Sequence, residues 1–495
     1  MKSWKWEHIA DLVKSLSVNE KRYFALIQKE DAKGQHYMKL FDAINKQLSV
    51  KQINDKFSGT KINLSYEKSY LTKMLLKSLR NFHESSSIDT VIYQALFNIE
   101  ILLDKKLYVF CMAYTEYYME LCKECELFEY QLLLLKGKRR CILRTGNAEA
   151  YAENNKIEAE TEKECLEKLN NIHAFKDLHQ QTHQLLNRKE GLFNAEDKAL
   201  LKKIVENEIL TDVNNATSFL AKMMFYDIKI WYYTNALKNH TTAYEYSYKK
   251  IELLENNVFV LKSAPLTYMS VYANHYIRAY SLHKIDELPN IIDKIDLIAN
   301  SKSPFISQDI KNEAFSHSSE KILDYCLASG DFTKGVHYFM LNKKRMKQQN
   351  FKLNDFFYMT QHYFAAYFYF HLKDYKKAIK HLKIIFDDYK PETRLISYVC
   401  AKVLNILLHF ELQNFELLPY LMKSAERLFK ANNISSDAFS LTEALLRKIT
   451  PATSKKEVKH LFANYLTQLN GLTNTSDIAF ATDCGLFLWA EEKLK

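Results

Sequence analysis

An all-α architecture is what this sequence predicts, and three observations predict it. Glycine and proline together make up 15 of 495 residues, about 3%, where an average chain carries roughly 12%. Turns are therefore scarce and helices long. All six prolines fall after residue 264, and alternating β-branched runs bounded by turn signals are missing. The third observation is a recurring corner, a polar residue followed by an aromatic or apolar one between two helical patterns. A chain of this length also exceeds what one hydrophobic core supports, so it must divide or extend as a solenoid.

The chain opens MKSWKWEHIADL, charged throughout and without an apolar segment of signal-peptide length. Eight cysteines without the dense spacing of a secreted scaffold read as reduced thiols. Together these predict a cytoplasmic protein. Its richness in Lys, Asn, Ile, Tyr and Phe suggests an AT-rich bacterial genome. The most apolar window, ISYVCAKVLNILLHF at 396–410, carries Lys402 and is shorter than the roughly 18 residues that span a bilayer. No membrane association is expected.

The first 84 residues hold 16 Lys and Arg against 9 Asp and Glu, so most of the net charge of +10 resides there. Within them, Ser49 and Gln52 form a capping-box signature with Leu48 and Ile53 as a hydrophobic staple, predicting a helix from Val50. A further helix is predicted from about Tyr66 to Phe82. Preceded by YMKLFDAINKQ, these outline a three-helix module of the helix-turn-helix kind over residues 1–88. At 100° per residue, Leu71, Leu75, Leu79 and Phe82 share an apolar arc, opposite Lys73, Lys77 and Arg80. Those three cations, flanked by Ser69 and Tyr70, are the candidate nucleic-acid contacts. A solvated helix face has the same outline.

Corners end at residues 240, 285, 332, 375 and 415, a period of 40 to 47 residues. Such a period of helix pairs is the signature of an α-solenoid, here over 89–470, because each hairpin buries its apolar face only against neighbours. An earlier copy lies at Leu107-Tyr108. Residues 471–495 are expected to add a capping helix.

Residues 359–391, MTQHYFAAYFYFHLKDYKKAIKHLKIIFDDYKP, resemble a tetratricopeptide repeat. Ala366 and Ala378 occupy its small positions, Tyr369 its aromatic position, and Asp374-Tyr375 its turn. A weaker copy at 316–350 places Gly335 at the second small position. Small residues there let two helix backbones approach to the lower end of the 8 to 10 Å interaxial range. The resemblance implies a right-handed α-solenoid whose first helices line a groove. Carried over, its groove positions are Thr360, Tyr363, Tyr367, Phe370 and His371. These are mainly aromatic, which suits an amphipathic helix or extended segment of another protein and argues against capture of an acidic C-terminal peptide.

Motifs for catalysis, cofactors and metals are missing. Cys122 and Cys125 form a C-x-x-C pair inside a helix without a second pair at zinc spacing. His179 and His183 lie on one helix face with Glu190 seven residues on, but without a third ligand they read as a polar stripe. No glycine cluster cradles a phosphate. The basic run 343–347 suits a helix C-terminus, and Lys138-Arg139-Arg140 reads as a solvated ridge. The function expected is that of a non-catalytic adaptor or scaffold whose partner is another protein or peptide segment. The alternative is a transcriptional regulator with the N-terminal module on nucleic acid.

Overall fold

The structure is a computed structural model, and it describes residues 4–28, 36–58, 62–85, 87–145, 148–187, 195–303, 305–449 and 454–495. Among the described residues there are 25 α-helices and no strand, so the all-α class holds. None of these helices is long and apolar enough to cross a membrane.

The chain divides into two compact units, Met1–Asn170 with Ser303–Phe305, and Asn171–Lys302 with Ile306–Lys495. The first unit begins with α1 Trp6–Ser15, α2 Val18–Gln28, α3 His36–Asn45, α4 Val50–Phe57 and α5 Leu64–Phe82. Two of these five helices, α1 and α2, precede the three that the sequence outlines. They bury Ile9, Val13 and Phe24 against Leu40, Phe41, Leu71 and Leu75. The capping box of α4 is present: the Ser49 side chain accepts from the Gln52 backbone, and the Gln52 side chain accepts from the Ser49 backbone. A separate core lies between α6 Ile88–Asp104, α7 Tyr108–Glu124 and α8 Phe128–Thr145. The tight approach of α6 to α8 depends on Gly137, where a Cβ would come 3.1 Å from Ile99. The division between the units falls within the next helix, α9 Ala148–Asn187.

Lys138, Arg139 and Arg140 are not a solvated ridge. Lys138 pairs with Glu116 at 3.1 Å, Arg139 with Glu158 and Glu162 at 3.2 and 2.6 Å, and Arg140 with Glu100. Cys122 and Cys125 are buried thiols; burial pushes the Cys122 thiol up to about 12, so it stays protonated at neutral pH.

The second unit continues with α10 Ala195–Val205, α11 Phe219–Trp231, α12 His240–Glu255, α13 Val260–Ser263, α14 Pro265–Ser281, α15 Leu288–Ala299, α16 Gln308–Ala328 and α17 Phe332–Gln349. It ends with α18 Asp355–His371, α19 Tyr375–Asp388, α20 Leu395–Glu411, α21 Leu418–Ala431, α22 Asp437–Ile449, α23 Lys455–Asn470, α24 Thr475–Asp483 and α25 Leu486–Leu494. From α14 to α21 the helices form hairpins, each packed on the next, and the first helices α14, α16, α18 and α20 also touch in sequence. Ala366 and Ala378 are wholly buried, and a Cβ on Gly335 would come 2.6 Å from the Phe368 ring. The small residues thus sit where adjacent helices close together.

The corners share one backbone device. Seven corners carry a left-handed residue, Lys106, Glu126, Lys238, His283, Gly330, Lys373 and Gln413, with φ between 51° and 69°; the next residue is polar at five of them and leucine after Lys106 and Glu126. The next N–H then reaches back to a carbonyl of the helix just ended, as Asp374 to Tyr369 at 2.9 Å and Leu107 to Leu102 at 3.0 Å, closing orphan C=O groups. The polar residue caps the helix to come: Asn239, Asp331 and Asp374 accept from the N–H three residues on. Only one of these seven left-handed residues is glycine. A side chain there costs about 1–2 kcal/mol, offset in part by the freedom glycine has when unfolded. Lys373→Gly should therefore raise stability by about 0.5–1 kcal/mol, read as a higher unfolding midpoint. An unchanged or lower midpoint would contradict the strain argument.

Candidate functional site

Helix α18 carries the residues expected to line a groove, and every one of them is buried. The stripe Tyr363, Tyr367 and His371 is covered by the chain's own C-terminal segment, while Thr360 and Phe370 are covered by other neighbours. Helix α24 ends at Asp483, and α25 begins after Gly485, so the expected single capping helix is two helices joined by a tight bend. The bend requires glycine twice over. Gly485 has φ +72°, and a Cβ there would lie 2.7 Å from the Tyr367 ring and 3.0 Å from His371 Nε2. Residues larger than glycine would collide with α18 as well as strain the backbone.

Directed contacts hold the segment on both sides of the bend. The Tyr363 hydroxyl donates to the carbonyl of Asp483. His371 Nδ1 stands 3.1 Å from a Glu492 carboxylate oxygen; the carboxylate only accepts, so Nδ1 carries the proton. Tyr363, Tyr367 and His371, four residues apart, thus share the stripe of α18 that meets α24 and α25. Thr360 is held instead by Arg394, which donates to it and to Glu320, both at 2.7 Å. Phe370 packs beside Tyr375 at the corner, with ring centroids 5.9 Å apart.

The anchor of α25 is Trp489, 1% exposed. Its ring meets Phe410 of α20 and Phe462 of α23 edge-on at 5.7 and 5.0 Å, the arrangement aromatic quadrupoles favour. Its Nε1–H donates to Glu411 at 2.7 Å, while Lys493 donates to the other oxygen of the same carboxylate at 2.6 Å. The Glu411 side chain is only 10% exposed; these two donors, with the Tyr375 hydroxyl at 3.3 Å, compensate a buried charge that would otherwise be costly.

Sequence reasoning reached Tyr363, Tyr367 and His371 but not Glu411, Gly485, Trp489 or Glu492. One signal was present. With nine glycines in the chain, a glycine four residues before a tryptophan marks a bend beside an aromatic anchor.

The candidate nucleic-acid contacts lie in the first unit. Lys73, Lys77 and Arg80 are exposed on α5, and Leu71 and Leu75 are buried opposite them. Leu79 is half-buried, and Phe82 is largely exposed beside Tyr23, so the apolar arc fades toward the helix end. Of the flanking groups, the Ser69 hydroxyl donates to the Ser65 carbonyl, and the Tyr70 ring packs against Tyr37 and Tyr66. The face therefore offers charge for phosphates, with the Ser69 proton committed to its own helix. Among the described residues no group of three or more His, Cys, Asp or Glu could hold a metal ion. Glu190 lies outside the described residues.

Fold and site together define an all-α protein of consecutively packed helical hairpins with a helix-filled inner seam. No protein-family model matches the chain, and no curated protein matches it in sequence.

Proposed function

We propose that the protein is a cytoplasmic, non-catalytic interaction adaptor of tetratricopeptide-like build. In this reading it holds an amphipathic helix of another protein where α25 now lies. The observation that carries the reading is the occupancy of that face by a helix held through a buried tryptophan and side-chain hydrogen bonds. A face that accepts one helix by such contacts has the chemistry to accept another. The partner segment would offer a glycine, an aromatic residue one turn further and a cation beyond it, matching Gly485, Trp489 and Lys493. The C-terminal segment then competes with the partner as an intramolecular ligand at high effective concentration.

A protease site inserted between Leu472 and Thr473 tests this in the full-length chain. After cleavage, a fluorescent peptide of residues 475–495 should exchange into the folded protein, and the same peptide with Trp489→Ala should compete far more weakly. If the native segment never leaves while the remainder stays folded, it is a permanent part of the core, and the adaptor reading of this face fails.

A further inference from the structure

A second place in the Asn171–Lys302 part of the chain combines a cavity with a cation that forms no ion pair among the described residues. Between α9, α11, α12 and α14 lies a cavity of about 530 Å³, open at one side and within the range of small-molecule sites. Part of its wall is apolar, supplied by Met223, Met224, Ile230, Trp231, Leu266 and Val271. His179 packs on the Trp231 ring at 4.7 Å, with His183 behind it at 6.0 Å. These histidines, which the sequence suggests are a solvated stripe, instead line the cavity.

The remaining lining groups are polar, and most are accounted for. Lys250, 8% exposed, donates to Asp227 at 2.6 Å. Burial pushes the Asp227 carboxyl up, but Lys250 and His179 overcome it and hold the carboxyl below its usual range, so the pair is ionised. Ser247 lies 2.7 Å from His275 Nδ1 and 2.8 Å from the Tyr244 carbonyl. A hydroxyl has one proton and that carbonyl only accepts, so Ser247 donates to Tyr244, and the His275 Nδ1–H donates to Ser247. The imidazole is therefore not placed as a base for the serine. Burial holds His275 down at about 4, so it is neutral near pH 7.

Arg278 is different. It is half-buried and enters no ion pair among the described residues. One guanidinium NH donates to its own helix at Asn274, at 2.6 Å, and its Nε is buried without a hydrogen-bond partner. A guanidinium stays charged, and leaving such a group desolvated and unpaired is costly. Apart from the imidazoles, the lining holds two cations and one carboxylate; that carboxylate is hydrogen-bonded to Lys250 and offsets the burial of Arg278 only in part, from a distance. A second observation coincides with this surplus charge. Directly after Trp231 the helix widens into a π-helical turn, Tyr232–Ala236, a distortion that is rare and concentrated at functional sites.

We propose that this cavity binds a small organic anion, a carboxylate or phosphate ester on an apolar or aromatic body. The acidic group pairs with Arg278, and the body lies along Trp231 and the methionines. Carboxylate and phosphate share the geometry that a guanidinium fork recognises, while the thioethers adapt to the body's shape. This site shares no residue with the face filled by α24 and α25 and does not rest on the adaptor reading.

Two probes distinguish the anions, phenylacetate and phenyl phosphate, with benzyl alcohol as the uncharged control. Titrated calorimetrically into the full-length protein, at least one anion should bind and raise the unfolding midpoint, and benzyl alcohol should do neither. Arg278→Gln, which keeps the length and removes the charge, should weaken binding about tenfold or more. Without probe, Arg278→Gln should leave the midpoint unchanged or raise it, an outcome a purely structural arginine would not give. Should that variant not fold, Leu266→Trp, a change at a largely exposed wall residue, narrows the cavity with Arg278 in place and should abolish binding. Failure of both anions to bind, binding of benzyl alcohol as tight as theirs, or unchanged binding in a folded variant would overturn the proposal.

Discussion

Trp489→Ala should destabilise the second unit by about 3–5 kcal/mol, the range for removing a large buried aromatic. The indole is buried among Phe410, Phe462 and Tyr465, so truncation leaves a cavity that rigid helices close only in part. It also removes one of the three donors to Glu411 and the one that serves its Oε1, leaving Lys493 and the longer Tyr375 hydroxyl contact on the other oxygen. The loss should be local first. Amides of α24 and α25 should exchange faster than those of α18 to α21, because Trp489 and its hydrogen bond to Glu411 anchor α25 on α20 and α23. Hydrogen exchange read by mass spectrometry, with denaturant unfolding for the magnitude, checks both parts. A loss below 1 kcal/mol would show that the segment does not depend on its anchor.

Asp324→Asn should stabilise the protein in alkaline solution and do little in acid. Asp324 lies on α16, where burial chiefly, with Glu320 one turn away, pushes its carboxyl up to about 7. Asp483 at the end of α24 adds to the same rise, and Lys321 and Arg394 offset only part of it. Asp483 is itself raised by burial. In the unfolded chain an aspartate titrates near 3.9. Between roughly that value and 7 the folded state holds a proton that the unfolded state has lost. This group's contribution is therefore full below the unfolded value, falls as pH rises through the window, and levels above 7. Asparagine keeps the shape without the charge. The gain at about pH 8 should be about 2–4 kcal/mol, discounted for partial solvent access, and should vanish toward about pH 4. Urea unfolding at both pH values measures it, and an equal effect at both would refute a titration origin. Because Asp483 closes the bend over α18, alkaline pH should also loosen the C-terminal segment in the native protein.

The corner sequence Lys373-Asp374-Tyr375 shows how much of the fold was legible. Asp374 is readable as a cap because its carboxylate and the N–H it satisfies are three residues apart. What it does not display is the left-handed backbone at Lys373, since glycine, the residue that advertises that conformation, stands at only one such corner. The capping box at Ser49 and Gln52 was legible for the same reason of proximity. Helices α1 and α2 escaped notice because a charged opening segment hides the short apolar stripe of Ile9 and Val13 behind Lys, Glu and Asp.

The candidate site divides along the same line. By itself the sequence determined the helical class, the hairpin period and the stripe Tyr363, Tyr367 and His371, because periodicity and capping act within a few residues along the chain. It could not determine whether that stripe is open or filled, since apolar rings with polar tips suit a binding groove and an internal seam equally well. Only the tertiary structure decided that. The contacts that fill the stripe join residues 120 and 121 positions apart, Tyr363 to Asp483 and His371 to Glu492. Arg278 is the same case: its charge is plain in the sequence, but that it forms no ion pair among the described residues is a property of three-dimensional surroundings that no local pattern records.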